Sequence, residues 1–148
     1  MFSKSCEYSI RAILYIYKNT LDGNKISIEK ISEAIGTPRH FTGKLLQVLA
    51  KQKIISSIKG PHGGFYIEPD APGIQLSRVV EAIDSTEIFK ACALGLNACS
   101  EEHPCPLHHQ YKGIREQIKA MMENQTVQQL GKELGKEKVF VKNENNLG

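Results

Sequence analysis

Hydrophobic residues recur at intervals of three and four along the first part of the chain, the period of an amphipathic helix. The pattern predicts a buried first helix from about Ser3 to Thr20. A turn of Asp22, Gly23 and Asn24 ends it. Its apolar positions are Cys6, Ile10, Ile13, Leu14, Tyr17 and Leu21.

Two further helices are predicted next, joined by one tight glycine turn. Ser27 suits the N-cap of the first helix and Gly36 its C-terminal end. Thr37 and Pro38 then supply a cap and a first helical residue for the second. Two helices joined in this way indicate a helix-turn-helix. Their expected core positions are Ile28, Ile31 and Ile35, followed by Phe41, Leu45, Val48 and Leu49.

A β-hairpin is predicted directly after these helices. Residues 54–58 and 64–67 are β-prone runs, and the glycine-rich stretch 59–63 separates them. A hairpin of about 54–68 behind a recognition helix is the wing of a winged helix-turn-helix, which reaches the DNA backbone or a minor groove. We therefore predict a mainly α fold whose winged-helix DNA-binding domain spans 1–84, including a fourth helix through Leu76, Val79, Val80 and Ile83.

The C-terminal part returns to a helical period after a loop at 85–105. Apolar residues in this part step by four, three, four and three, which is a heptad seam and favours a long dimerisation helix within 106–134, followed by a terminal helix. Residues 135–148 are predicted to form a flexible tail. We expect a homodimer whose interface contains Leu107, Tyr111, Ile114, Ile118 and Met121.

The distribution of charge is more informative than the net value of +3. The stretch from Ala34 to Ile67 contains lysine and arginine and no acidic residue, as expected of a surface that meets phosphates. A solvated basic face is the alternative, and winged helices also serve as protein-interaction modules. With double-stranded DNA as the expected partner, the candidate contacts are Arg39, His40, Thr42, Lys44, Gln47, Lys59 and His62.

Three of the four cysteines lie within fourteen residues, at Cys92, Cys99 and Cys105, and His108 follows. Glycine, proline and asparagine interrupt this stretch, so it is predicted to be a loop that wraps these side chains around one centre. The sequence shows neither a secretion signal nor about 20 consecutive apolar residues, so we expect a cytoplasmic protein without a membrane partner. In a reducing compartment, such cysteines more often bind metal or sense redox state than form structural disulfides.

Three chemistries suit this loop. Structural zinc sites usually contain a tight Cys-x2-4-Cys knuckle, which gaps of six and five residues match poorly, so an iron-sulfur cluster is favoured. Zinc and a thiol-disulfide switch stay open as alternatives. Cys6, on an apolar helical face, is expected in the core.

An enzyme is not expected. Cys105 has histidines near it in sequence, but neighbours in a loop do not make a catalytic triad. The chain contains no phosphate-binding loop with its lysine, no metalloprotease helix motif and no Gly-x-Ser-x-Gly elbow.

Four segments in this order resemble the family of winged-helix regulators that contains IscR and NsrR. They are Ser9–Ala12, Ser57–Phe65, Val79–Asp84 and the three-cysteine loop. The resemblance covers roughly residues 1–134. It implies a dimeric bacterial transcription factor that senses iron-sulfur status, nitric oxide or redox state through a bound cluster, with 2Fe-2S favoured and 4Fe-4S as the alternative.

The resemblance also suggests two candidates for a fourth ligand. His108 matches by position the histidine ligand of IscR-like relatives, and Glu7 matches a carboxylate that NsrR-like relatives supply from the partner subunit. We favour His108, because its proximity to Cys105 requires no assumption about how subunits pack. If Pro106 begins a helix, the imidazole would project from its first turn back toward the loop. At two positions the chain departs from the family, since Gly43 replaces an acidic residue of some relatives and Lys59 replaces a common arginine. A dimer implies an inverted-repeat operator.

Overall fold

The computed structural model describes residues 1–134 and Lys142, and the predicted tail at 135–148 otherwise lies outside the described residues. The fold is mainly helical with one small antiparallel sheet, which confirms the predicted fold class. The elements are α1 Lys4–Asn19, α2 Ile28–Ile35, α3 Arg39–Lys51, β1 Ser56–Ile58, β2 Gly64–Tyr66, α4 Leu76–Asp84, a 3-10 turn Thr86–Phe89, α5 His108–Asn124 and α6 Val127–Glu133.

Helix α1 lies at the centre and contacts α2, α3, α4 and α6. The Ser3 side chain caps it by accepting a hydrogen bond from the Cys6 backbone N–H, and Ile13 and Ile16 are fully buried. Leu21, predicted to extend the apolar face, is instead exposed because the helix ends at Asn19 and the chain then turns away. Burial of one stripe therefore positions α1, as its periodicity predicted.

The helix-turn-helix is formed by α2 and α3. Ser27 caps α2, and Gly36 adopts a left-handed conformation at its end, φ 71°, as predicted. Thr37 does not cap α3. The N-cap is Pro38, and the Thr37 hydroxyl instead lies 2.5 Å from that of Thr42. Val48, expected in the core, is 38% exposed on α3, so the apolar face of this helix is narrower than predicted.

Strands β1 and β2 form the predicted wing, with Ser57 paired to Phe65. Phe65 also exchanges two backbone hydrogen bonds with Ile26, of 2.8 and 2.9 Å, which ties the wing to the segment before α2. Gly64 is required at this junction, because its φ is 152° and a Cβ there would lie 2.7 Å from the Ile26 carbonyl oxygen. The wing is thus anchored to the body of the domain.

At the other end of the chain, α6 returns to pack on α1. A capping box between Thr126 and Gln129 begins it. Gly131 allows close approach, since a Cβ at this position would lie 2.1 Å from a ring carbon of Tyr17. Helix α5 begins at His108, two residues later than the start predicted at Pro106. Within the described residues, no helix is both long and apolar enough to cross a membrane.

Candidate metal centre and DNA-binding surface

The loop between the 3-10 turn and α5 brings its three cysteines together. The Sγ atoms of Cys92, Cys99 and Cys105 all lie within 4.8 Å of one another, and those of Cys92 and Cys105 are 3.6 Å apart. All three thiols are free and half-buried. Side chains separated by six and five residues thus converge on one point at the surface, as the loop pattern predicted.

Polar contacts with α5 support the start of the loop. The Arg115 guanidinium donates to the carbonyl oxygens of Lys90 and Ala91, at 2.9 and 2.6 Å. These residues directly precede Cys92, and the Leu94 backbone N–H donates to the Cys92 sulfur at 3.3 Å. The position of Cys92 is therefore determined by hydrogen bonds from both the helix and the loop itself.

The thiols differ in acidity. Hydrogen bonds from the backbone amides of Leu96 and Leu94 lower the pKa of Cys92 to about 7, because they stabilise the thiolate. The Cys105 backbone N–H acts in the same direction on Cys99, but burial and the neighbouring thiols outweigh it and raise the pKa of Cys99. About half of the Cys92 thiol is therefore ionised near pH 7.

His108 lies against this group. Its Nδ1 is 3.2 Å from the Cys99 Sγ, and its Nε2 is 3.2 Å from Oε1 of Glu101. Lys112, one turn further along α5, places its Nζ 2.5 Å from the same carboxylate oxygen. Lys112 and then His108 lower the pKa of Glu101 to about 2, and the carboxylate in turn raises the pKa of Lys112.

Glu7, the other candidate ligand, lies in the first turn of α1. Its carboxylate pairs with Lys4 at 3.0 Å, and within the described part of the chain it is not a member of the cysteine group. Within this chain, His108 and not Glu7 therefore lies beside the thiols.

The donor set itself tests whether a metal or cluster fits. Three thiols and one imidazole are soft and borderline ligands, the set that binds iron-sulfur clusters and zinc and that disfavours magnesium or calcium. Convergence of the sulfurs and the lowered pKa of Cys92 both suit this use. These side chains therefore fit a thiolate-bound metal or cluster.

Most of the predicted DNA contacts are exposed. The exposed residues are Arg39, His40, Lys44 and Gln47 on α3, and Lys59 and His62 on the wing. Thr42 does not belong to this set, and its prediction was wrong. Its side chain is 1% exposed, and its hydroxyl contacts the Thr37 hydroxyl and the Pro38 carbonyl, so it stabilises the start of α3.

An ion pair joins one of these residues to α2. An Arg39 guanidinium nitrogen lies 2.7 Å from a carboxylate oxygen of Glu29 on α2, and both side chains are mainly exposed. The hydrophobic pattern of α3 did not indicate Glu29 as a partner of Arg39, because Glu29 lies on α2, the other helix of the motif.

Along α5 and its N-cap Leu107, the predicted seam divides into two sets. Leu107, Ile114 and Met121 are exposed, at 42, 54 and 51%, and follow one another at intervals of seven residues. Tyr111 and Ile118 are half-buried, and Ile118 packs against the core of its own chain. The exposed apolar stripe therefore consists of Leu107, Ile114 and Met121, and it is narrower than the heptad seam predicted from the sequence.

Sequence reasoning missed three supporting residues, Glu101, Lys112 and Arg115. Each acts across the loop–helix boundary, on partners 7 to 25 residues away. The spacing of Lys112 four residues after His108 was the available signal, since such residues lie on one helix face.

Comparison with known proteins identifies the family. Residues 2–133 match the family model described as Rrf2, iron-dependent transcriptional regulator. The chain is 27% identical over 132 residues to an HTH-type transcriptional regulator of Aquifex aeolicus, covering 88% of this chain and 90% of that one. It is 27% identical over 123 residues to IscR of Yersinia pseudotuberculosis, covering 83% and 74% of the two chains.

Solved structures agree on the fold. CymR, the global cysteine regulator of B. subtilis, superposes with a TM-score of 0.72 at 19% identity, covering 89% of this chain and 96% of that chain. T. potens IscR gives a TM-score of 0.65 at 16% identity, covering 90% and 87%. The family model and the Aquifex relative both describe transcriptional regulators, which confirms the expectation that the chain is not an enzyme. The chain belongs to the Rrf2 family of transcriptional regulators.

Proposed function

We propose that this protein is a cytoplasmic, homodimeric DNA-binding regulator that senses iron-sulfur status, nitric oxide or redox state through a cluster held by Cys92, Cys99, Cys105 and His108. The observation that carries the proposal is the convergence of three thiols, with one imidazole in contact, on a loop attached to a winged-helix domain. When bound, a cluster supplies a redox-active centre whose reduction potential depends on its ligands and their hydrogen bonds.

Iron is favoured over zinc for two reasons. The matching family is described as iron-dependent, and the gaps of six and five residues between the cysteines lack a zinc knuckle. Three cysteines and one histidine also supply the four protein bonds that a 2Fe-2S or 4Fe-4S cluster normally has. We favour the 2Fe-2S form.

The test of the centre is anaerobic reconstitution of the whole protein with iron and sulfide. Wild-type protein should gain visible charge-transfer absorbance and bind iron, and His108→Ala should weaken both. Glu7→Ala and His109→Ala serve as matched variants, since His109 is the exposed histidine next to His108. A colourless protein that binds zinc alone would refute the cluster. If Glu7→Ala loses the spectrum and His108→Ala keeps it, the fourth ligand comes from α1 of a partner subunit.

The exposed residues of α3 and of the wing support DNA binding. Pairing of two copies of the chain in turn supports an inverted-repeat operator. Recognition helix α3 presents Arg39, His40, Lys44 and Gln47 for major-groove and phosphate contacts, and the wing presents Lys59 and His62. No acidic residue occurs from Ala34 to Ile67, so the lysine and arginine side chains of this stretch produce a positive electrostatic potential.

Salt dependence of DNA affinity tests this surface. Replacing Lys59 by Ala should weaken binding and reduce the slope of log affinity against log salt by about 0.9 for each lost phosphate contact. Lys119→Ala removes the same charge from α5, where the lysine lies 3.7 Å from Glu123, and should leave the slope unchanged. Equal slopes for wild type and Lys59→Ala would exclude the wing as a phosphate contact.

The exposed α5 stripe supports the homodimer, because residues spaced by seven on one helix suit pairing with a second copy. Replacing Ile114 by Asp would place a charge in that interface, and sedimentation should then detect monomers. A dimer that survives this change would place the interface elsewhere.

A metal-free thiol switch is the second candidate. It is favoured by the 3.6 Å separation of the Cys92 and Cys105 sulfurs, which lie close enough to form a disulfide after a modest movement. One structural neighbour is an oxidized form of Staphylococcus aureus CymR. Oxidising the metal-free protein and mapping disulfides by mass spectrometry would identify a Cys92–Cys105 bond, and a change in DNA affinity on oxidation would assign it the sensing role.

A further inference from the structure

We propose that Glu101 is a positioning residue that orients His108 and fixes which of its ring nitrogens faces the cysteines. The inference rests on the proposed ligand set. Its basis is that the two nitrogens have different partners, since Nδ1 contacts the Cys99 Sγ and Nε2 contacts Oε1 of Glu101, each at 3.2 Å.

The carboxylate is itself held in place. Lys112 lies one helical turn after His108, and its Nζ is 2.5 Å from the same Glu101 oxygen. The His108 side chain is 11% exposed, whereas that of Glu101 is 58% exposed. Glu101 therefore covers the outer edge of the ring, and Lys112 keeps it on that edge. The loop between Cys99 and Cys105 is thereby tied to the first two turns of α5.

The protonation of the ring follows from these contacts. A neutral imidazole carries one proton, so one nitrogen donates and the other has a free lone pair. A carboxylate accepts hydrogen bonds and does not donate, so Glu101 selects the form of His108 that is protonated on Nε2. Nδ1 then keeps its lone pair on the cysteine side, where a metal would be bound. Such outer partners typically contribute 10- to 100-fold in metal affinity.

A different use of these residues is a separate metal site. Ligand atoms of Glu101, His108 and His109 also lie within 4.8 Å of one another. The Lys112 ammonium, however, already neutralises the carboxylate and would repel a cation placed beside it. The geometry therefore favours the positioning role.

The first test uses metal-free, full-length protein and does not depend on a cluster. Nitrogen-15 NMR of the neutral His108 ring, recorded where its spectrum no longer changes as pH is raised, reports which nitrogen carries the proton. Wild type should be protonated on Nε2 alone. Glu101→Ala should give a mixture of both forms, and Glu101→Gln should restore much of the Nε2 form, because an amide oxygen still accepts this hydrogen bond.

Glu102→Ala is the matched control, since Glu102 is the adjacent exposed carboxylate and has no side-chain partner among the described residues. It should behave as wild type. Identical ring protonation in wild type and Glu101→Ala would overturn the inference.

The second test measures cluster loss to a chelator after reconstitution. Glu101→Ala should lose the cluster about 10- to 100-fold faster than wild type, Glu101→Gln should be intermediate, and Glu102→Ala unchanged. In a His108→Ala background, Glu101→Ala should have no further effect, because there is no ring left to orient. An undiminished effect in that background would overturn the positioning role.

The proposed function and the positioning role of Glu101 can be refuted independently of each other. Wild-type protein that takes up no cluster would contradict the proposed function, while the NMR comparison would still decide the role of Glu101. Binding of zinc alone to a Cys92→Ser, Cys99→Ser and Cys105→Ser variant, abolished by Glu101→Ala, would assign Glu101 and the histidines to a separate metal site and refute the positioning role.

Discussion

The winged-helix domain and the cysteine loop are held in place by different forces. In the domain, residues such as Ile13, Ile31 and Leu46 are fully buried in one continuous core. In the loop, Leu94 and Leu96 are about half exposed, and hydrogen bonds from Arg115 and the backbone determine the path of the chain.

This difference separates the part of the chain that stabilises the fold from the part that could respond to a bound ligand. Burial of apolar area dominates folding free energy, so the domain should fold with or without a ligand. Surface hydrogen bonds contribute little net free energy, so the loop can change its conformation at low cost. A ligand bound to the cysteines can therefore alter the loop and leave the DNA-binding fold intact.

The largest expected effect is on the free energy of unfolding. Leu46→Ala should lower it by about 2–5 kcal/mol, because it leaves a cavity in the core. Leu94→Ala, the same chemical change in the loop, should alter it by less than about 0.5 kcal/mol. Urea unfolding of metal-free protein at one protein concentration would measure both. Similar losses for the two variants would contradict the distinction between core and loop.

A pair of helix glycines tests the close approach of α6 to α1. Gly131→Ala should destabilise the protein by about 1–3 kcal/mol, since the new methyl group would overlap the buried Tyr17 ring. Gly113→Ala on α5 meets no atom within 4 Å and should stabilise it by about 0.5–1 kcal/mol. Thermal unfolding of both variants shows whether each substitution raises or lowers the free energy of unfolding. A stabilising Gly131→Ala would show that α6 packs more loosely than the structure indicates.

The loop should also differ from the core in thiol reactivity. At pH 7 a thiol whose pKa is about 7 is half ionised, against about 1% for an ordinary thiol, while its lower basicity reduces its nucleophilicity roughly eightfold. In metal-free protein, alkylation of Cys92 by iodoacetamide should thus be roughly sixfold faster than that of a free thiol. Its rate should rise with pH through about 7 and level off about one pH unit higher, because a lowered pKa moves thiolate formation to lower pH.

Cys6 provides the internal control for this measurement. It is fully buried, and burial followed by the nearby Asp84 raises its pKa to about 12, so it should react only after unfolding. Mass spectrometry of the alkylated peptides against pH distinguishes the two sites. A Cys92 rate that still climbs steeply above pH 8 would refute the low pKa.

The smallest expected effect concerns the DNA surface. Glu29→Gln should tighten DNA binding by a few-fold, because it frees Arg39 from its 2.7 Å ion pair and removes a negative charge. Glu33→Gln removes an equal charge from the same helix without breaking an ion pair in the described residues. Titration of labelled operator DNA compares the two. Equal gains would show that net charge, rather than release of Arg39, is responsible.

The helices were predicted well from the sequence, because the position of each depends on residues that lie close together along the chain. Apolar periodicity located α1 and α4, and Ser27 and Gly36 marked the ends of α2. Errors arose where rotation of a helix decided burial. Thr42 and Val48 lie on the same helix, and only its packing against α2 and α1 buries the first and exposes the second.

The candidate site likewise contains residues that the sequence indicated and contacts that only the tertiary structure decided. The cysteine spacing by itself predicted that three thiols and His108 form a ligand set, since these residue types in a loop have few other uses together. The tertiary structure alone decided that Glu101 faces one edge of the His108 ring while Cys99 faces the other. The reason is that the path of an exposed loop depends on contacts with α5, which neither hydrophobic periodicity nor residue spacing specifies.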